Sequence, residues 1–252
     1  MGNTFNNFHI HNTPASAVIE ALQTRTAKPA FVTDAVGGWV SVYLGERFSS
    51  DAESLAQSLS SELATATMYL WEYDSDACGY TLFVNGEERD VFDSAPDMWA
   101  GEDGEDGEPI PVKTPEEREQ LRGKPEDLLP YCRPGATIAD IAAALSQTAS
   151  DGIDRLATAL GTPEGDSSFR DEFLAKVEAS MTAIRNSGLP VDGLLPARAV
   201  DSYLTSLDAD TILADLSRVL GIDGFRYGIN FNDIDDASVD SPVTRIDPTS
   251  SR

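Results

Sequence analysis

The chain is poor in basic residues. It contains 18 Lys and Arg residues against 43 Asp and Glu residues, which gives a formal net charge of -25 over 252 residues. The lysines are Lys28, Lys113, Lys124 and Lys176 alone. Binding to DNA, RNA or an anionic membrane depends on clustered Lys and Arg side chains that neutralise phosphates. The sequence therefore argues against direct contact with nucleic acid or with a membrane surface.

Cysteines and long apolar runs are scarce as well. Cys78 and Cys132 are far apart and form no C-x-x-C pair, so we predict two reduced thiols rather than a disulfide framework. The residues from Met1 to Phe8 have neither the basic region nor the apolar core of a signal peptide. No apolar run approaches the roughly 18 residues of a membrane span. We expect a cytoplasmic protein.

Sequence signatures of enzymes are missing too. There is no G-x-S-x-G motif, no G-x-x-x-x-G-K-[ST] motif and no G-x-G-x-x-G motif placed after a strand. A pair of catalytic carboxylates has no value as a signal in so acidic a chain. The sequence predicts no cofactor, and it favours a protein without catalytic activity over an enzyme.

What is present is the material for a folded core, since hydrophobic residues make up 41% of the chain. The pattern predicts an α+β fold in the order β-α-β-β-α-β-β-β, with a mostly antiparallel sheet and two covering helices. Gly37-Gly38 and Asn85-Gly86 are typical of hairpin turns. The first predicted helix follows Pro14. The predicted strands are 8–11, 30–35, 39–43, 68–73, 80–84 and 89–92, and the second helix carries Leu55, Leu59 and Leu63.

Composition divides the chain into four parts. Residues 1–93 are the predicted sheet domain, and residues 94–135 an acidic connector rich in Pro and Gly, with at most one helical stretch around 115–122. Residues 136–231 are a predicted helical region packed on the sheet, with a candidate last strand at 225–231. Residues 232–252 are a predicted frayed acidic tail.

Four side chains are candidate metal ligands. His9 and His11 alternate along a strand and therefore point to the same side of it, about 7 Å apart. Half-exposed polar residues on an edge strand are the alternative interpretation. Asp74 and Asp76 flank Ser75 in a predicted loop. Their carboxylates could hold Ca²⁺ or Mg²⁺, or they could form an Asx-turn.

An acidic run inside the connector is the candidate site for a basic protein partner, with a solvated loop as the alternative. Its acidic residues are Glu102, Asp103, Glu105, Asp106 and Glu108.

Several short segments together resemble a layout found in an uncharacterised group of bacterial α+β proteins. They are Gly38-Trp39-Val40-Ser41-Val42-Tyr43, Tyr73-Asp74-Ser75-Asp76, Asn85-Gly86, Asp90 and Asp93-Ser94-Ala95-Pro96-Asp97. The resemblance implies a shared fold and carries over no activity and no catalytic residues.

Three hypotheses of function follow. The first is an acidic, non-catalytic cytoplasmic interaction protein that inhibits or masks a basic protein, in the manner of an immunity protein or a nucleic-acid mimic. The second is a housekeeping domain whose acidity is an adaptation for solubility or salt. The third is a metal-dependent hydrolase that uses His9, His11, Asp74 and Asp76.

Overall fold

The computed structural model describes residues 4–26, 28–45, 51–74, 76–102, 108–145, 209, 211–222 and 243–246. Helices and strands alternate at first, and helices then predominate. The strands are β1 Phe5–His11, β2 Ala30–Thr33, β3 Trp39–Leu44, β4 Ala66–Tyr73, β5 Ala77–Val84, β6 Glu87–Asp93 and β7 Val243–Ile246. The helices are α1 Ala15–Gln23, α2 Ala52–Glu62, α3 Pro115–Gln120, α4 Pro125–Leu128, α5 Ile138–Leu145 and α6 at 211–220, with a 3-10 turn at Leu129–Tyr131.

The strands form one sheet in the order β6-β5-β4-β1-β3-β2-β7, and every neighbouring pair is antiparallel. This confirms the predicted α+β fold and the predicted order of its first eight elements. The first strand lies in the middle of the sheet, between β4 and β3. Both edges of β1 are therefore paired, and its residues from Phe5 to Ile10 are all buried.

One face of the sheet is covered by α1 and α2. Side chains alternate between the faces of a strand, so Phe8 and Ile10 of β1 share this face with Val42 of β3. Leu22 of α1 and Leu59 of α2 pack against them and are fully buried. The two predicted covering helices thus lie on the same side, as the apolar stripe of each requires.

The opposite face is covered by α4, α5 and α6. Its core contains Trp39 of β3 and Tyr80 of β5, together with Ile141 of α5 and Leu216 of α6. The indole Nε1 of Trp39 donates a hydrogen bond to the carbonyl of Leu220, at 3.1 Å. The described part of the predicted helical region therefore packs on the sheet.

Two segments of the chain form other helices and strands than the sequence predicts. The segment predicted as a frayed tail contains β7, which pairs with β2 and buries Ile246. Three of the four residues, Val243, Thr244 and Ile246, are β-branched, so the segment suits a strand once an edge is available. The candidate strand at 225–231 lies outside the described residues.

The second such segment is the connector, residues 94–135. It holds α3 and α4 followed by the 3-10 turn, rather than one helical stretch. Pro115 and Pro125 each occupy the start of a helix, where the missing N–H costs nothing. Thr114 and Glu117 form a reciprocal capping box at α3. The predicted stretch around 115–122 corresponds to α3, whereas α4 was missed although Pro125 marks its start in the same way. Among the described residues no helix is long and apolar enough to cross a bilayer.

Candidate protein-binding surface

Glu102 and Glu108, the described acidic residues of the run, lie on two backbone segments that run side by side. We call the described residues 97–102 and 108–113 the acidic hairpin. The Gly101 N–H donates to the Ile110 carbonyl and the Ile110 N–H donates to the Glu102 carbonyl, both at 2.8 Å. Gly101 has a φ of +89°, a left-handed conformation that glycine adopts without strain. Glu102 and Glu108 of the run are exposed, while Asp103, Glu105 and Asp106 lie outside the described residues.

Asp97 fastens the base of the acidic hairpin. Its Oδ1 accepts a hydrogen bond from the Lys113 N–H at 2.8 Å. Its Oδ2 accepts from Arg118 of α3, also at 2.8 Å. The ion pair is partly exposed and adds little stability by itself. Together with the backbone bond, however, it fixes both sides of the hairpin to α3.

Exposed apolar side chains gather at the same place. Tyr73, at the end of β4, and Trp99 make an edge-to-face contact with ring centroids 4.7 Å apart and planes at 77°. Each is 39% exposed, and Ile110 and Val112 across the hairpin are 37% and 49% exposed. Among the described residues the remaining exposed large hydrophobic residue is Ile138. We call Tyr73, Trp99, Ile110 and Val112, with Glu102 and Glu108, the aromatic–acidic surface.

The site predicted from the sequence comprises the acidic half of this surface and lacks the apolar half. Trp99 stands in a segment without helical or strand periodicity, and Tyr73 belongs to a strand whose other residues are mostly buried. The available signal was a tryptophan two residues before a Gly/acid run. Aromatic residues flanked by charge in a loop are typical of binding surfaces.

The structure places His9 and His11 on the same side of a strand, as expected, but that strand is central and not an edge. His9 is fully buried. Its Nδ1 lies 2.8 Å from the Oγ of Ser41, directly across on β3, and its Nε2 lies 2.9 Å from the Oδ1 of Asn7. Both ring nitrogens are thus engaged in a buried polar network. The sequence contained no signal for this network, because it depends on which strand lies beside β1.

His11 has different surroundings. Its ring lies 4.8 Å from the ring of Trp39 and 5.5 Å from that of Tyr131, both in edge-to-face geometry. Partial burial lowers the pKa of His11, because it disfavours the imidazolium form. His11 therefore serves as an aromatic packing residue at the end of β1.

Asp74 and Asp76 lie at the other end of β1. The Asp76 N–H donates to the Tyr73 carbonyl at 2.9 Å, and Asp74 has a φ of +50°, so both belong to a tight turn. The Asp74 N–H donates to the hydroxyl of Thr4, which precedes β1. Thr4 and His11 are about 23 Å apart at the rise of a strand.

The four candidate ligands therefore do not converge on one point. Within the described part of the chain no group of three or more His, Cys, Asp or Glu side chains could hold a metal ion. Cys78 and Cys132 form no disulfide with each other. Burial raises the pKa of Cys132 to about 11, so its reactive thiolate form is suppressed.

Comparison of the chain with protein-family models, with curated proteins and with solved structures finds no match. The resemblance to an uncharacterised bacterial group stays a prediction.

Proposed function

We propose that the chain is an acidic, non-catalytic interaction protein that binds and masks a basic protein through the aromatic–acidic surface. One observation carries the proposal. The described residues expose five large apolar side chains, of which three belong to the acidic hairpin and a fourth, Tyr73, contacts it through Trp99. Scattered exposed apolar residues are ordinary, but a contiguous group of them marks an interaction surface.

The two halves of the surface have complementary roles. Tyr73 and Trp99 already hold each other in place, so they lose little side-chain freedom when a partner covers them. Aromatic residues of this kind contribute most of the energy in many interfaces. Glu102 and Glu108 beside them add a negative potential, which attracts a basic partner and excludes an acidic one.

The net charge of -25 also attracts a basic partner, and it acts at longer range. It raises the association rate with a cationic protein and lowers it with nucleic acid. Because the Debye length is about 8 Å at 0.15 M salt, this steering weakens as salt is added. A basic protein with an apolar contact patch is the partner that fits both the charge and the aromatic pair.

The test is quantitative affinity purification from cell extract at low salt, with variants compared side by side. We expect Trp99→Ala to reduce recovery of basic proteins at least about tenfold, as removal of an aromatic hot spot does. Ile138→Ala is the matched control, because Ile138 is equally exposed but belongs to α5. A purified partner would then be titrated against each variant.

The contribution of the acidic side chains to binding is tested with a second pair of variants. The double variant Glu102→Gln, Glu108→Gln should slow association and flatten its salt dependence. Glu87→Gln, Glu88→Gln is its control, since these two exposed acids lie on β6. The alternative, acidity for solubility alone, predicts that both double variants behave alike and that Trp99→Ala has no effect. That result would refute the proposal.

A further inference from the structure

A cleft of about 580 Å³ opens beside the edge strand β6, where α3, α4 and α5 approach it. Its volume is in the range of pockets that hold small ligands. The described residues that line it include an apolar group, Phe92, Leu121 and Leu145, and a charged group, Asp93, Arg118 and Arg122. None of these residues belongs to the aromatic–acidic surface.

The cleft is held by backbone hydrogen bonds. Residues 121–123 extend the sheet beyond β6, since the Asp93 N–H donates to the Leu121 carbonyl at 2.9 Å. The Gly123 N–H donates to the Val91 carbonyl at 3.0 Å. Gly123 has a φ of +71°, and a Cβ there would lie 2.6 Å from the hydroxyl of Tyr80. Glycine is therefore required at this point, and the wall of the cleft is preformed.

Two arginines line the cleft. Arg118 and Arg122 are four residues apart. Arg118 directs Nε and Nη2 to a single oxygen of Asp97, and Arg122 directs Nε to Glu119 at 3.1 Å. A guanidinium carries five N–H donors in a planar fork. Each arginine thus keeps donors for a further acceptor, and each is already held by a neighbouring carboxylate.

Asp93 also lines the cleft. Its Oδ1 accepts a hydrogen bond from the Ala95 N–H at 2.8 Å. Burial raises the pKa of Asp93, because it disfavours the carboxylate form. Titratable groups with shifted pKa values in a cleft are typical of binding sites.

We propose that this cleft binds a small amphipathic carboxylate. Its apolar body lies against Phe92, Leu121 and Leu145, and its carboxylate accepts hydrogen bonds from Arg118 and Arg122. Planar carboxylates match the guanidinium fork. In a chain with so few cations, two arginines beside an apolar wall form a place where an anionic head group is stabilised. This site is separate from the proposed protein-binding function and stands or falls without it.

The experiment is an NMR titration of the full chain with octanoate, octylamine and octanol, which share one tail and differ in head group. We expect saturable shifts at the cleft residues with octanoate, and weaker or no shifts with the other two. Affinity should rise from hexanoate to octanoate, by up to about fourfold per methylene that becomes buried.

Arg122→Gln should weaken octanoate binding about tenfold, as loss of a charge-assisted bond does. Its matched control is Arg218→Gln, since Arg218 also pairs with an acid three residues away and has a similarly exposed side chain. Arg122→Lys keeps the charge and should bind with intermediate affinity, so it serves if the Gln variant folds poorly. Octylamine binding as tightly as octanoate, no saturation with octanoate, or equal losses in the variant and its control would overturn the proposal.

Discussion

At Asp90 we expect the removal of a buried charge to stabilise the fold. This β6 residue is only 3% exposed. Its Oδ2 accepts a hydrogen bond from the Tyr80 hydroxyl at 2.7 Å and another from the Lys124 N–H at 2.9 Å. Its Oδ1 is buried and, within the described part of the chain, has no hydrogen-bond partner. One carboxylate oxygen therefore accepts two hydrogen bonds, and the other accepts none within the described part of the chain.

Burial raises the pKa of Asp90 above its usual 3.8, even though the bonds from Lys124 and Tyr80 oppose the shift. The folded state then binds more protons than the unfolded state between the two pKa values. The stability that the neutral acid contributes is fully present below the unfolded pKa. It is lost as pH rises through the folded pKa.

The substitution Asp90→Asn mimics the protonated acid at every pH. Its amide oxygen can keep both bonds at the Oδ2 position, while the buried charge disappears. We expect a gain of about 1 kcal/mol at neutral pH, at the low end of the cost of an unsatisfied buried polar group. For a chain of this length that corresponds to a rise in Tm of about 2–4 °C.

The assay is urea unfolding of the wild type and the variant at about pH 7 and about pH 4, with the difference between them taken at each pH so that the other acids cancel. The gain should shrink toward pH 4. Glu88→Gln, exposed on the same strand, removes the same formal charge and corrects for general self-repulsion. A variant less stable than the wild type by the same amount at both pH values would refute this reasoning.

Three further predictions concern the rest of the chain. Trp39→Phe removes the hydrogen bond to the Leu220 carbonyl and should lower the free energy of unfolding by about 1–3 kcal/mol. The free energy is measured by urea unfolding. A loss below about 0.5 kcal/mol, the level of a neutral surface change, would contradict this prediction. Thr137→Ala removes the hydroxyl that donates to the Oδ2 of Asp140 at 2.7 Å, the largest cause that lowers the pKa of this carboxyl, and keeps the bond from the backbone N–H of residue 137. The carboxylate form is favoured in the fold, so this stabilisation is present above the unfolded pKa and lost as pH falls through the folded one. The destabilisation by Thr137→Ala should therefore be larger at neutral than at acid pH in circular dichroism melts. Finally, Tm should rise with added NaCl as the repulsion within a chain of net charge -25 is screened, and a Tm that falls from the lowest salt onward would contradict it.

Local sequence patterns were sufficient to predict the order of most of the helices and strands. Asn85 and Gly86 have φ values of +54° and +85°, the positive pair that a tight hairpin needs. Leu55 and Leu59 fall on one buried stripe of α2 because their spacing is that of a helical turn. Turn chemistry and periodicity act over a few residues, so a sequence displays them directly.

Contacts between residues that are distant in sequence became known only from the tertiary structure. His9 is a buried hydrogen-bonding residue because β3 and β4 enclose β1, and its partner Ser41 is 32 positions away. Trp99 meets Tyr73 because the connector folds back on the end of β4. Val243–Ile246 is a strand because β2 leaves an edge for it. Such pairings depend on which surfaces remain to be buried once the sheet has formed, and no local pattern carries that information.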